Sequence, residues 1–295
     1  MEKWIKEYIE IIGNVKLKSE KIEDAFQIKY EHIPDKLYRF RPCSKYALDC
    51  LYNSQLYLSS PSNFNDPYDA KPLFNPDIVV ELALMNKYVK NCLCKIVGTD
   101  DIHSKLFIES VKKLMSKLQN LLIQENEKLG IACFSENDYS NILMWSHYAD
   151  CHKGFCLEYD YSKIEYENNL TRFICPVVYS DKIYDLSKHI FMMIKSYAHP
   201  NKPSFNNIVN MSIVPLYKSK EWSYEKEWRL VYNKELLKIN NPCIDFIKPC
   251  AIYLGTNIQS KFRSALINYA KAKNIDIFDV LQKGNEYKLV QQKIN

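Results

Sequence analysis

Short segments with the alternating pattern of β-strands occur along the whole chain of 295 residues, and helical patterns fall between them in irregular order. The strand patterns cover 37–41, 55–60, 131–136, 154–161, 173–180, 220–232, 250–256, 275–281 and 286–292. A regular βαβ array would instead place a helix after each strand. The sequence therefore predicts an α+β fold with mixed, mainly antiparallel sheets and inserted helices.

The domain organisation follows from breaks in these patterns. Residues 1–34 have apolar side chains at helical spacing, which predicts an N-terminal helical extension. No linker divides residues 35–295, so we expect a single α+β domain there. Within it, residues 77–128 predict an insertion of two helices with a break near Gly98. The polar stretch HPNKPSFNN makes residues 181–215 a candidate lid.

Composition removes several classes of protein. The formal charge of +5 permits a nucleic-acid partner without predicting one. Ten cysteines include no pair of CxxC motifs, so we predict no metal site and expect the reduced thiols of a cytoplasmic protein. The apolar runs fall short of the roughly 20 residues that a membrane span needs. The six glycines form neither GxGxxG nor a Walker motif, which argues against Rossmann and ATP chemistry.

The segment KEWSYEKEWRLVY, residues 220–232, alternates as a strand would. Strand alternation predicts a packed face that contains Trp222 and Trp228, and an opposite face that presents Glu225, Glu227 and Arg229. One interpretation is a half-buried strand with a solvated charged face. The other is a functional site, because two carboxylates on one face shift each other's pKa and one becomes a candidate acid or base.

The segment LYRFRP places Arg39 and Arg41 on one strand face. Such arginines are often surface cations. The guanidinium group is also the fork that binds phosphate or carboxylate through two hydrogen bonds at once. We therefore include both arginines among the candidate site residues.

The loop LYLSSPSNFNDPYD, residues 56–69, concentrates polar side chains beside aromatic ones. Turn formers of this kind often only cap a loop, but loops with such side chains are also common binding sites. Both interpretations stay open. The candidate residues here are Ser59, Ser60, Asn63, Phe64, Asn65, Asp66, Tyr68 and Asp69.

The segment MWSHYADCHKGFCLEYD, residues 144–160, contributes Trp145, His147 and Tyr148 as candidates. His147 and Cys151 share a helical face, but two ligands without an HExxH motif give little support for zinc. The histidine is either poised near an active-site cleft or simply packed and hydrogen-bonded.

Taken in order, LYRFRP, LYLSSPSNFNDPYD, ACFSE, NILMWSHYADCHKGFCLEYD, KEWSYEKEWRLVY and IYLGTN resemble the bacterial family catalogued as domain of unknown function 2971. The resemblance runs from about residue 37 to residue 257. The family name implies no activity.

A second resemblance is to ADP-ribosyltransferases, which carry Arg or His on their first strand, Ser or Tyr on a middle strand and Glu, often as Glu-x-Glu, on a later one. This resemblance implies a split β-sandwich with NAD as substrate. It implies that Arg39 holds the phosphate or ribose side of NAD, Ser60 steadies the nicotinamide pocket and Glu227 bonds the ribose 2′-hydroxyl. Glu225 would activate an acceptor, and the fixed carboxylate would stabilise charge on the ribose.

Three hypotheses about function remain. The leading one is ADP-ribosyl transfer from NAD to a protein or nucleic acid, with a role in phage defence or as a toxin. The second is a metal-dependent nuclease or phosphodiesterase. The third is a ligand-sensing or interaction domain that binds through residues 61–69. The ligands for Mg²⁺ in the second hypothesis are Asp66, Asp69, Glu158, Asp160 and Glu227, with Lys226 or Arg229 stabilising charge.

Overall fold

The structure, a computed structural model, describes residues 2–14, 19–198 and 213–294 of the chain. The helices are α1 (Lys3–Ile12), α2 (Ser19–Tyr30), α3 (Lys45–Tyr52), α4 (Pro76–Met85), α5 (Lys87–Val97), α6 (Lys105–Asn126), α7 (Ile142–Tyr148), α8 (Asn169–Phe173), α9 (Ser187–Ala198) and α10 (Ser260–Lys273). The strands are β1 (Lys36–Arg41), β2 (Gln55–Tyr57), β3 (Leu129–Ser135), β4 (Phe155–Asp160), β5 (Ile174–Pro176), β6 (Val178–Ser180), β7 (Tyr217–Ser219), β8 (Glu227–Asn233), β9 (Cys243–Asp245), β10 (Ala251–Leu254), β11 (Asp276–Gln282) and β12 (Leu289–Lys293).

The chain forms two compact units, each assembled from three separate segments. The helical unit comprises Met1–Lys29, Ser60–Leu129 and Val178–Glu221. The sheet unit comprises Tyr30–Ser59, Gly130–Val177 and Trp222–Asn295. The predicted boundaries at residues 34 and 35 stay predictions.

The sheet unit is built on eight strands in the order β12-β11-β10-β4-β1-β3-β8-β5. The pairs β1 with β3, β1 with β4, β4 with β10, β5 with β8 and β11 with β12 are antiparallel, whereas β10 and β11 are parallel. The helix α10 makes the crossover that a parallel pair requires. The prediction of an α+β fold with a mixed, mainly antiparallel sheet is confirmed.

The two faces of this sheet differ in chemistry, and β1 defines them. Phe40 packs against Trp145 of α7, with ring centroids 5.2 Å apart, and Tyr38 packs against the same cluster. We call this side the helix face. Arg39 alternates to the other side, where its guanidinium lies over the ring of Phe134. We call that side the aromatic face, because Phe134 contacts further rings there, including Tyr159 at 5.9 Å.

The turn from α7 into β4 is unusually tight. Asp150, Cys151 and His152 have positive φ angles of 47°, 53° and 67°. Residues other than glycine rarely adopt such angles. A Cβ atom on Gly154 would lie 2.1 Å from the carbonyl oxygen of Arg41. Only glycine therefore allows the chain to pass the end of β1 at this point.

The long helix α6 packs in the helical unit through buried side chains that recur at helical spacing. It also makes a polar contact with the loop before α4. Phe107, Val111 and Met115 are buried along one stripe of α6. Near the end of this helix the amide of Asn126 donates a 2.7 Å hydrogen bond to the carbonyl of Ala70. The helical unit also contains the parallel pair β6 and β7.

Two predicted elements were wrong in detail. Residues 77–128 contain three helices rather than two, because Asn86 is extended and its side chain accepts a hydrogen bond from the backbone of Val89, which starts α5. The strand predicted over 173–180 is divided: β5 pairs with β8, whereas β6 pairs with β7. The alternating pattern contains no signal for this change of partner.

Of the candidate lid, Ser187–Ala198 form α9, whereas residues 199–212, with the stretch HPNKPSFNN, lie outside the described residues. In the described ranges every helix is too short or too polar to cross a lipid bilayer. All ten cysteines are free thiols.

Candidate functional site

The segment 220–232 is not one strand, so the predicted faces were wrong for residues 220–226 and hold only within β8. Lys220–Glu225 form a 3-10 helix, Lys226 has a φ of 45°, and β8 begins only at Glu227. Both faces of β8 are buried: Glu227 is 6 % exposed, Trp228 1 % and Arg229 0 %. The interpretation of a solvated charged face is therefore wrong, and the charged side chains belong to the interior.

Glu225 is anchored through both its side chain and its main chain. Its carboxylate accepts a short hydrogen bond from the hydroxyl of Tyr148, and its carbonyl accepts a 2.5 Å hydrogen bond from the hydroxyl of Ser135. Glu225 is 2 % exposed. Burial, and then the nearby Glu225 carboxylate, raise the pKa of Tyr148 well above its ordinary value. Tyr148 therefore stays protonated and acts as a donor to the carboxylate.

Glu227 forms a two-point ion pair with Arg229, two residues further along β8. Nε and Nη2 of Arg229 donate to the two carboxylate oxygens of Glu227 at 2.8 and 3.0 Å. The charge of Glu227 also contributes to the raised pKa of Tyr148, so both carboxylates act on the same hydroxyl. This arrangement holds Glu227 in one orientation and favours its ionised form.

Glu227 lies on the helix face of the sheet. The indole of its neighbour Trp228 donates a 2.7 Å hydrogen bond to the side chain of Glu136. Glu136 follows Phe134 by two residues, so alternation puts Glu136, and Trp228 with it, on the aromatic face. Glu227 alternates to the other side, where α7 supplies Tyr148. Ser135, opposite to Phe134 in alternation, lies on the helix face as well.

Three successive strands thus carry polar side chains in a row on the helix face. Tyr38 of β1 is directly opposite Ser135 of β3 in the strand register, and β8 with Glu227 is the next strand in the sheet. We call Ser135, Tyr148, Glu225, Glu227 and Arg229 the carboxylate site. Its members converge from β3, α7, the 3-10 helix and β8.

Aromatic side chains surround His147 beside the carboxylate site. The ring of His147 lies 6.2 Å from that of Trp222 and 6.1 Å from that of Tyr224. His147 is exposed, and Trp222 and Tyr224 are half-buried. The amide of Asn137 donates a 2.6 Å hydrogen bond to the carbonyl of Tyr224, which fixes this segment. We call His147, Trp222 and Tyr224 the aromatic rim.

Trp145 has a packing role. It is 0 % exposed, and its indole nitrogen donates a 2.7 Å hydrogen bond to the carbonyl of Tyr139. Its other contacts, with Phe40 and His152, are ring contacts. Trp145 therefore holds α7 against the sheet.

The structure does not bring Arg39 and Glu227 together. Arg39 lies on the aromatic face, where its Nη2 donates a 3.2 Å hydrogen bond to the carbonyl of Tyr57. Arg41, two residues along β1, shares that face. The two arginines and the carboxylate site thus occupy opposite faces of one sheet.

The candidates in the loop 59–69 are divided between the units. Ser59 pairs with Ile131 in the sheet unit, whereas Ser60 belongs to the helical unit and donates a 3.0 Å hydrogen bond to the carbonyl of Glu127. The other loop candidates, Asn63, Phe64, Asn65, Asp66, Tyr68 and Asp69, also belong to the helical unit.

Within that loop the carboxylates have structural partners. The side chain of Asp66 accepts a 2.8 Å hydrogen bond from the backbone of Tyr68, as turn formers do. The buried Asp69 forms a 3.7 Å ion pair with the buried Lys218. The side chain of Tyr68 is exposed.

The carboxylates proposed for a metal do not form a shared site. Glu158 is bound by Lys36 at 2.5 Å and by the hydroxyl of Tyr253 at 2.6 Å, and Asp160 accepts hydrogen bonds from Ser162. In residues 2–14, 19–198 and 213–294, no group of three His, Cys, Asp or Glu side chains is arranged to hold a metal ion.

Sequence reasoning missed Ser135 and Tyr38. Ser135 is the next-to-last residue of the ACFSE block that carried part of the family resemblance, so its position near a strand end was visible. What the sequence does not contain is the strand order, which places β3 between β1 and β8.

One comparison with known proteins gives a match. The sequence model of the family described as "Protein of unknown function (DUF2971)" matches residues 144–230. This segment contains four of the five members of the carboxylate site and the whole aromatic rim. No curated protein and no solved structure matches the chain significantly.

Proposed function

We propose that this chain, whose residues 144–230 match the sequence model of the DUF2971 family, binds NAD on the helix face of its sheet and transfers ADP-ribose to a macromolecular acceptor. The observation that carries the proposal is the row formed by Tyr38, Ser135 and Glu227 on three successive strands. Ser135 and Glu227 follow the middle-strand and later-strand positions of the ADP-ribosyltransferases that the sequence resembles, whereas Tyr38 stands on the first strand where those enzymes carry Arg or His.

This proposal revises two of the roles that the resemblance implied. Ser135 takes the place of Ser60, because Ser135 lies on the strand between β1 and β8 and hydrogen-bonds the main chain of Glu225. Arg39 leaves the NAD site, because it lies on the aromatic face. Glu227 and Glu225 keep their roles.

The chemistry requires a fixed negative charge. When the bond between the ribose C1′ and nicotinamide breaks, its electron pair leaves with nicotinamide and positive charge develops on the ribose ring. The ionised Glu227, held by Arg229, stabilises that charge without having to reorganise. The acceptor then attacks C1′, and Glu225 takes the proton that the acceptor releases.

The aromatic rim supplies a surface for the flat rings of NAD. Trp222 and Tyr224 are half-buried beside the carboxylates, and stacking on such rings is a common mode of binding for nucleobases. His147 is exposed at the same rim. The rim would hold one ring of NAD while the buried carboxylates face the ribose.

We also propose a cytoplasmic location, where NAD is available. We further propose a role in phage defence or as a toxin, in which a protein or nucleic acid of the target would be the acceptor.

The experiment incubates the purified protein with NAD labelled in its adenylate part, together with candidate acceptors. We expect release of nicotinamide and transfer of label by the wild type, and loss of both in Glu227→Gln and Glu225→Gln. Glu286→Gln is the matched control, because Glu286 is an exposed carboxylate in the sheet unit that pairs with Lys283. Equal activity of the wild type and Glu227→Gln, in folded protein, would contradict the proposed role.

A further inference from the structure

Arg39 is half-buried on the aromatic face, and its guanidinium lacks one hydrogen-bond acceptor there. Its Nη2 donates to the carbonyl of Tyr57 at 3.2 Å, and its carbon lies 5.6 Å above the centre of the Phe134 ring. Its Nη1 is buried and has no hydrogen-bond partner among the described residues. A buried charged donor without a partner is costly, and proteins generally pair such groups.

A second cation lies beside it. Arg41 is half-buried two residues further along β1, about 7 Å away along the strand. Neither a side-chain hydrogen bond nor an ion pair joins Arg41 to the rest of the described chain. Two guanidinium groups therefore face the same side of the sheet.

In the part of the chain that the structure describes, no carboxylate forms an ion pair with Arg39 or Arg41. The residues directly opposite Arg39 and Arg41 on β4 are Leu157 and Phe155. Burial, and then the neighbouring charge of Arg41, lower the pKa of Arg39 to about 10, and the other side chains that influence it are Tyr159, Cys133 and Cys50. None of these groups carries a negative charge at neutral pH.

We propose that Arg39 and Arg41 form a binding site for a small phosphate-bearing molecule on the aromatic face of the sheet. The planar fork of arginine matches the oxygen atoms of a phosphate group through parallel hydrogen bonds. A phosphate monoester carries about −1.5 to −2 charges at neutral pH, which balances two guanidinium groups better than a single carboxylate does. The unsatisfied Nη1 of Arg39 gains its acceptor in this complex.

This site is separate from the proposed NAD site. Strand alternation puts Arg39 and Glu227 on opposite faces, so one NAD molecule does not bridge them through the sheet. Phosphate binding to the arginines therefore stands whether or not the protein transfers ADP-ribose.

The test is calorimetric titration of the full-length protein with inorganic phosphate and with AMP, at constant ionic strength, with acetate as the singly charged anion. We expect saturable binding of a phosphate probe at one site, with acetate at least tenfold weaker. Tighter binding of AMP than of inorganic phosphate would identify a nucleotide, and the reverse would identify the free ion. Failure of both phosphate probes to bind would overturn the proposal.

Substitutions of the two arginines test whether they form the phosphate site. Arg39→Met and Arg41→Gln should each weaken phosphate binding at least tenfold, and Arg39→Lys, which keeps the charge without the fork, should also weaken it. Arg263→Gln is the matched control, because Arg263 is paired with Asp279 on the surface of the sheet unit. Glu227→Gln should bind phosphate as the wild type does.

The melting temperature of Arg39→Met distinguishes a loss of phosphate binding from a loss of folding. Arg39→Met removes a guanidinium whose buried Nη1 donor is unsatisfied, so we expect the melting temperature of the variant without phosphate to equal or exceed that of the wild type. If folded Arg39→Met bound phosphate as tightly as the wild type, the assignment to Arg39 would be wrong.

Discussion

The hydroxyl of Tyr148 donates its hydrogen bond to the carboxylate of Glu225, and this bond joins the last residue of α7 to the last residue of the 3-10 helix before β8. Glu225 is 2 % exposed, and Tyr148 is half-buried beside it. Two helices that are distant in sequence are thereby fixed around one acidic group.

Tyr148→Phe removes the donor and leaves the ring in place. We expect the free energy of unfolding to fall by about 1–3 kcal/mol, because the buried Glu225 carboxylate loses a hydrogen bond. Chemical denaturation measures this change. Tyr287→Phe, at a fully exposed tyrosine, is the control and should change stability little. An equal effect of the two substitutions would show that the hydrogen bond contributes nothing.

Arg229→Met leaves Glu227 as a buried carboxylate without its two-point partner. We expect a loss of about 3–5 kcal/mol in the free energy of unfolding, as is typical when one member of a buried ion pair is removed. The double variant with Glu227→Gln should recover part of this loss, since no unpaired charge remains. A double-mutant cycle gives the coupling between the residues, and additive effects would argue against a specific pair.

The lowered pKa of Glu158 leads us to expect that the stability of the fold depends on pH. Burial alone raises the pKa of Glu158, but hydrogen bonds from Lys36, Tyr253 and Cys250 outweigh it and hold the pKa below the usual 4.5. A carboxyl with a lowered pKa in the folded state stabilises the fold above its unfolded pKa, and this contribution disappears as the pH falls through the folded value. Stability should therefore decline below about pH 4.5.

The comparison with Glu158→Gln isolates this effect. The variant lacks the titrating group, so its stability should decline less between pH 6 and pH 3 than that of the wild type. Urea denaturation at each pH measures the difference. Parallel curves for the two proteins would assign the acid sensitivity to other groups.

The sequence predicted individual elements better than their partners. Alternation of side chains identified β1 and β4, whose segments LYRFR and FCLEYD alternate with a period of two. It failed at Lys220–Glu225, where a 3-10 helix carries spacing that also fits a strand. The positive φ of Lys226 that ends this helix has no signature in a lysine side chain.

The candidate site, too, was predicted only in part. Glu225, Glu227 and Tyr148 were visible as polar residues in blocks that also carried the family resemblance. The position of Ser135 beside them depends on strand order, and the orientation of Arg39 away from them depends on where α7 packs. Both are products of tertiary structure, which a pattern of one or two segments does not encode.

Calorimetric titration of NAD into the wild-type protein and into Glu227→Gln decides whether the carboxylate site binds NAD. We expect one saturable NAD site in the wild type, binding at least tenfold weaker in folded Glu227→Gln, and unchanged binding in Glu286→Gln. Absence of NAD binding by the folded wild type, or equal affinity in Glu227→Gln, would contradict it.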